Sequence, residues 1–135
     1  MLGFMAVRFA RSYVDRLFAE RDILGLHHLI SVVGAERELP EEFWLFNRLL
    51  EWVGSTRSGV WQYYETVSVD TFAKMNRGLQ RFGLSEIAER YNYGKTARDG
   101  PDQASSLDRW IDPNRPQMES AAFGLIAARR EDLNP

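Results

Sequence analysis

The stretch Ser58-Gly59-Val60-Trp61-Gln62-Tyr63-Tyr64 lies near the middle of the 135-residue chain, between two amphipathic segments. Gly59 permits a sharp chain reversal because glycine, without a Cβ, adopts backbone angles that other residues avoid. Trp61, Tyr63 and Tyr64 follow with large apolar rings whose polar ends need partners. The stretch therefore predicts a turn followed by a short helix.

Two interpretations of this stretch are open, and they differ in the role of Gln62. If its amide is buried, it must bond backbone groups at the turn, and it would fix the two flanking helices. This makes the motif structural, with members Gly59, Trp61, Gln62, Tyr63 and Tyr64. The alternative is a small-ligand site around Trp61 and Gln62, because ligand sites are typically apolar pockets with few polar groups.

Apolar residues recur at helical spacing on both sides of the motif. Upstream, this spacing predicts helices over residues 4–20, 22–34 and 40–53. Downstream, it predicts a helix over residues 68–83 and another that begins at Ser85.

Capping residues mark several of these boundaries. Asp22 and Ser68 have side chains that accept hydrogen bonds from the first turn of a helix. Gly34 and Gly83 are expected to end the helices that precede them.

The C-terminal third has a less regular pattern. Residues 94–106 are rich in Gly, Asp, Ser and Pro and predict a loop, followed by a short helical turn over residues 107–111. Pro113 and Pro116 predict a bend, and the last helix is expected to start near Pro116.

Together these patterns predict one all-α domain over residues 1–135, with about six or seven helices and no significant sheet. Residues 1–35 form its N-terminal helices. The chain has no cysteine, which excludes disulfides and thiolate metal sites and fits the cytoplasm. No apolar run approaches the roughly 20 residues that span a bilayer. Met1 to Ala10 is too short, and carries Arg8 too early, for a signal-peptide core.

Charge is distributed unevenly, although the formal net charge is only −2. Residues 36–70 contain seven acids and three bases, and residues 71–98 contain six bases and two acids. We expect the two stretches to complement each other within the domain. The alternative is that the basic residues bind nucleic acid weakly and without sequence specificity, through a face formed by Lys74, Arg77 and Arg81.

Trp44 breaks the pattern of the third predicted helix, because it lies on the polar side with Asn47, Arg48 and Glu51. Either it packs under another segment, or it is an exposed anchor for a protein partner, which could be a second copy of the chain. Our hypothesis takes these four residues as a partner surface.

His27 and His28 are the only histidines, and adjacent helical residues point about 100° apart, so they cannot readily chelate one metal. The sequence contains no phosphate-binding loop, metalloprotease motif or nucleophile elbow. It predicts no catalytic residues, no metal and no cofactor.

The order of these elements resembles a bacterial family of unknown function that contains the C-terminal domain of a DNA-mimic protein. That family shows an Asn-Gly-Gly-aromatic-x-Gln-aromatic-aromatic motif, then a helix with an Ile-Gly or Phe-Gly stop. The matching positions are Gly59, Gln62, Tyr63, Tyr64 and Gly83. Arg57 and Ser58 replace the usual Asn and Gly, and Val60 replaces an aromatic residue. The resemblance covers residues 37–133.

The resemblance implies an all-helical bacterial domain without an established enzymatic activity. Imitation of DNA requires a dense array of carboxylates at phosphate spacing. The net charge of −2 and the basic face do not provide such an array, so we do not expect DNA mimicry. The sequence thus predicts a non-catalytic protein-interaction or regulatory module, with nucleic-acid or small-ligand binding as the alternatives.

Overall fold

The computed structural model describes residues 9–96 and 101–133, which form seven α-helices and two 3-10 turns. The helices are α1 (Arg11–Ala19), α2 (Ile23–Glu36), α3 (Glu41–Gly54), α4 (Trp61–Thr66), α5 (Val69–Arg81), α6 (Ser85–Thr96) and α7 (Pro101–Ala127). The 3-10 turns are Ser55–Arg57 and Arg130–Leu133. Within these ranges there is no strand, which confirms the predicted all-α class.

Helix α3 lies at the centre of the core. It packs most extensively against α7 and also contacts α2 and α5, while α6 joins α5 to α7. Its sequence explains this position, because its apolar residues occupy a face wide enough to meet several helices. The buried α3 side chains are Phe43, Leu45, Phe46, Leu49, Trp52 and Val53.

The predicted caps are present at two helix starts. The Asp22 carboxylate accepts a hydrogen bond from the Gly25 backbone N at 2.9 Å, and the Ser68 hydroxyl accepts one from Thr71 N at 3.0 Å. Gly83 follows α5 with a φ of +76°, as expected of a glycine that ends a helix.

Two upstream boundaries differ from the prediction. Gly34 does not end α2, which continues to Glu36, because an exposed glycine in a helix costs only about 1 kcal/mol. Helix α1 spans Arg11–Ala19, and residues 1–8 of the predicted first helix lie outside the described residues.

The predicted loop and bend in the C-terminal third are wrong where the structure describes them. Helix α6 extends to Thr96, and α7 runs continuously from Pro101 to Ala127 through Pro113 and Pro116. Residues 97–100 lie outside the described residues. Each internal proline removes one backbone hydrogen bond, but α7 buries a long apolar face that offsets the loss. The buried residues on that face are Ala104, Leu107, Ile111, Met118, Ala122 and Ile126.

None of the helices in the described ranges combines the length and the apolar character that are needed to cross a bilayer.

Gly94 of α6 lies directly against the ring of Tyr64 of α4. It is buried, and a Cβ added there would overlap the Tyr64 ring at Cζ, Cε2 and the hydroxyl oxygen. Glycine is therefore required at this position for steric reasons, although its own backbone is helical.

We predict that Gly94→Ala destabilises the domain by about 3 kcal/mol, because overpacking a core forces rings or backbone to move. Urea unfolding followed by circular dichroism measures the change. Gly124→Ala is the matched control, since Gly124 is helical and exposed, and a Cβ added there would meet no neighbouring atom within 4 Å. The control should be neutral or stabilising by about 0.5–1 kcal/mol. Equal stability of the two variants would contradict the steric role of Gly94.

Candidate functional site

The predicted turn at Gly59 is confirmed. Gly59 has a φ of +98°, a conformation that residues with a side chain rarely adopt. A Cβ there would also lie 2.7 Å from Cδ1 of Trp61, which packs over the glycine. The short helix α4 then begins at Trp61 as predicted.

The aromatic residues of the motif form a hydrogen-bonded cluster between α3, α4 and α6. Trp52 Nε1 donates to the Tyr64 hydroxyl at 2.8 Å, and that hydroxyl donates to the backbone oxygen of Tyr91 at 2.7 Å. The Tyr63 and Tyr91 hydroxyls share a hydrogen bond of 2.6 Å. Phe72 of α5 stacks on the Tyr91 ring with centroids 5.0 Å apart. These bonds satisfy the polar ends of the buried rings, so the motif has a structural role.

Gln62 does not contribute to this role in the way that we predicted. Its side chain is exposed, so the interpretation that required a buried amide is wrong. Residues three or four apart lie on the same side of a helix. Val60, which precedes α4, therefore shares the inward side with Tyr63 and Tyr64, and Gln62 faces outward. Trp61 and Gln62 also line none of the three clefts described below.

Asp108 on α7 attaches the start of the motif to α7 through a hydrogen bond. Its carboxylate accepts a hydrogen bond from Val60 N at 3.0 Å, which holds the start of α4 against α7. Burial raises the pKa of Asp108 above its ordinary value. Local sequence patterns do not single out Asp108, because residues 107–111 on their own predict only a short helical turn. The helical spacing of Leu107 and Ile111 across Asp108 is the signal that could have located it.

Stability should fall at high pH because of the buried phenols. Burial raises the pKa of Tyr64 and Tyr91 above the ordinary value of 10.0, and that of Tyr63 is raised for the same reason. Above about pH 10 the unfolded chain loses these protons while the native state retains them, so unfolding releases protons and becomes more favourable.

We therefore predict a constant free energy of unfolding up to about pH 9, and above pH 10 a loss of up to about 1.4 kcal/mol per pH unit for each buried tyrosine. Urea unfolding at a series of pH values measures it. Tyr64→Phe removes one of the phenols and should reduce the slope. If the urea concentration at the unfolding midpoint stays constant to about pH 11, these tyrosines ionise equally in the native and unfolded states, which would contradict the prediction.

The hypothesised partner surface on α3 is largely occupied by contacts within the domain. Trp44 is half-buried against the core, with Lys74 Nζ 4.2 Å above its ring. Of the two alternatives, Trp44 thus packs under another segment, and Lys74 shows that this segment is α5. Arg48 forms an ion pair with Glu51 at 2.9 Å, and the Asn47 amide bonds His27 and Ser31.

The basic face of α5 is exposed as predicted, but two of its three cations have partners. Arg81 forms an ion pair with Glu41 at 2.9 Å, and Lys74 covers the Trp44 ring. Arg77 is exposed. The pair between Arg81 and Glu41 is one contact of the kind expected between the acidic and basic stretches.

His27 lies at the boundary of the core and His28 is exposed. In the described part of the chain, no group of three or more His, Asp and Glu side chains is placed to hold a metal ion.

The described residues include four large apolar side chains that are exposed, and three of these lie on the elements that surround the aromatic cluster. Trp61 on α4 is 44% exposed, Val69 at the start of α5 is 85% exposed and Tyr93 on α6 is 38% exposed. A small pit of about 60 Å³ lies between these elements. Its lining residues are Tyr64, Val67, Ser68, Val69, Phe72 and Lys95. We call the pit together with Trp61 and Tyr93 the α4–α6 face.

A larger cleft of about 590 Å³ lies between α2, the end of α3 and α7. Ile23, Leu50 and Val53 provide apolar lining, and Leu24, 78% exposed, stands at its side. Its other lining residues are His27, Glu51, Gly54, Arg57, Arg115 and Glu119. A third cleft of about 200 Å³ lies beside Trp110, near the start of α6.

No protein-family model matches this chain, and no curated protein or solved structure gives a significant match. The resemblance of the motif to a bacterial family therefore stays a prediction. The surfaces described above are the remaining guide to function.

Proposed function

We propose that this chain is a non-catalytic protein-interaction module that binds its partner through the α4–α6 face. The observation that carries the proposal is that α4, α5 and α6 each expose one large apolar side chain, namely Trp61, Val69 and Tyr93. Tryptophan and tyrosine are the residues that most often anchor protein interfaces. The face replaces the Trp44 surface as our candidate, because Trp44 is already covered.

The rigid base of this face supports the proposal. Tyr64 and Phe72 line the pit and are also part of the hydrogen-bonded and stacked aromatic cluster. Side chains that are held in place before binding lose little conformational entropy when a partner docks. An apolar group of the partner that enters the pit would therefore be bound at low entropic cost.

Charge at the pit selects the kind of partner. Lys95 Nζ lies 5.2 Å from the Phe72 ring centre and is the one cation that lines the pit. A partner that presents an acidic side chain beside its apolar anchor would be attracted to this position. The absence of cysteine supports a cytoplasmic location. The resemblance of the motif supports a bacterial protein.

We predict that Val69→Glu and Trp61→Ala each reduce the capture of a specific partner at least tenfold, because both remove apolar contact area from the face. The tagged domain is incubated with extract of its native host, and the bound proteins are quantified by mass spectrometry. Sedimentation of the purified domain tests whether the partner is a second copy. Val69 is almost fully exposed, so its substitution should change stability by less than about 0.5 kcal/mol.

Leu24→Glu is the matched control, since Leu24 is similarly exposed but lies at the separate α2–α3–α7 cleft. It should leave capture unchanged. Partners that are retained by Val69→Glu and lost by Leu24→Glu would contradict the proposal.

A further inference from the structure

The α2–α3–α7 cleft has features of a ligand site that are independent of the α4–α6 face. Its volume of about 590 Å³ falls within the range of roughly 300–1,000 Å³ that is typical of small-molecule sites. Apolar side chains from α2 and α3 line it, and Arg115 and Glu119 of α7 contribute charges.

Two of the charged side chains in the cleft are already engaged. Arg115 donates through Nη2 to Thr56 Oγ1 at 3.0 Å and to Val53 O at 3.4 Å, and the same nitrogen lies 3.7 Å from Asp112. Glu51 is held by Arg48. The described structure gives Arg57 and Glu119 no ion-pair partner, so the cleft retains one cation and one anion that can bind a ligand.

The hydrogen bonds around His27 define a third polar group. The Asn47 amide nitrogen donates to Ser31 Oγ at 3.1 Å, and Ser31 Oγ donates to His27 O at 2.9 Å. The Asn47 oxygen therefore faces His27 Nδ1, 2.9 Å away, and accepts a hydrogen bond from its N–H. In the neutral ring this leaves Nε2 as a hydrogen-bond acceptor on a residue that lines the cleft.

We propose that this cleft binds a short zwitterionic peptide with apolar side chains. The ligand's ammonium group pairs with Glu119, and its carboxylate pairs with Arg57 beside Arg115. The apolar side chains contact Ile23 and Leu50, and the peptide N–H donates to His27 Nε2.

The polar groups of the cleft favour a dipeptide over a single amino acid. Arg57 and Glu119 can bind the two charged termini, and the His27 Nε2 acceptor can bind a peptide N–H, which a free amino acid lacks. A ligand with a net charge is disfavoured, because Arg57 and Glu119 have opposite signs. An anionic ligand would be repelled by Glu119, and a cationic ligand would be repelled by Arg57.

The test is a titration of the ¹⁵N-labelled domain with L-leucyl-L-leucine, followed by amide chemical shifts. We expect saturable shifts at the cleft, at Leu24, His27 and Gly54. Arg57→Gln and Glu119→Gln should each weaken binding about tenfold or more, since each removes one charge-assisted contact. Arg77→Gln and Glu89→Gln are the matched controls, because both residues are exposed on α5 and α6, and they should bind as the unmodified domain does.

Two further ligands distinguish the contribution of the charged termini to affinity from that of the apolar side chains. N-acetyl-leucyl-leucinamide, which lacks both charges, should bind at least about tenfold more weakly, and free leucine should also bind more weakly. Absence of saturable shifts with millimolar dipeptide would overturn the proposal. Equal binding of the capped peptide, or full affinity in both cleft variants, would overturn it as well. None of these outcomes depends on the α4–α6 face.

Discussion

The contact between the Tyr64 ring and Gly94 fixes how closely α4 packs against α6. The ring passes directly over the α6 backbone, where any side chain at residue 94 would displace it. In this position the Tyr64 hydroxyl reaches both Trp52 on α3 and the backbone of Tyr91 on α6. One buried side chain therefore connects three helices, and an unpaired hydroxyl or indole in this region would cost about 1–3 kcal/mol.

The geometry of this contact also explains which aromatic residues remain at the surface. Because Tyr63 and Tyr64 occupy the inward positions of the short helix α4, Trp61 stays partly exposed above Gly59. Val67 and Ser68 then lead into α5 with Val69 at its exposed first turn. The α4–α6 face is thus a direct consequence of the packing that holds the core together.

The charged groups at the start of α3 form ion pairs with other elements of the domain. Arg81 of α5 pairs with Glu41, and Arg129 near the C-terminus pairs with Glu42, so the acidic start of α3 is neutralised from two directions. Such exposed pairs contribute little stability, but they neutralise charges on α3 and α5. Together with the net charge of −2, this pairing is the reason that we do not propose DNA mimicry.

The sequence by itself determined the all-α class, the course of α3 and α5, the caps at Asp22 and Ser68, and the turns at Gly59 and Gly83. These features depend on periodicity and on local backbone chemistry, which act over a few residues. Only the tertiary structure decided that α7 continues through Pro113 and Pro116, because burial against α3 outweighs two missing hydrogen bonds. It also decided the roles of Gly94 and Asp108 and the exposure of Gln62. Each of these depends on a contact between residues distant in the chain, and local patterns carry no information about such contacts.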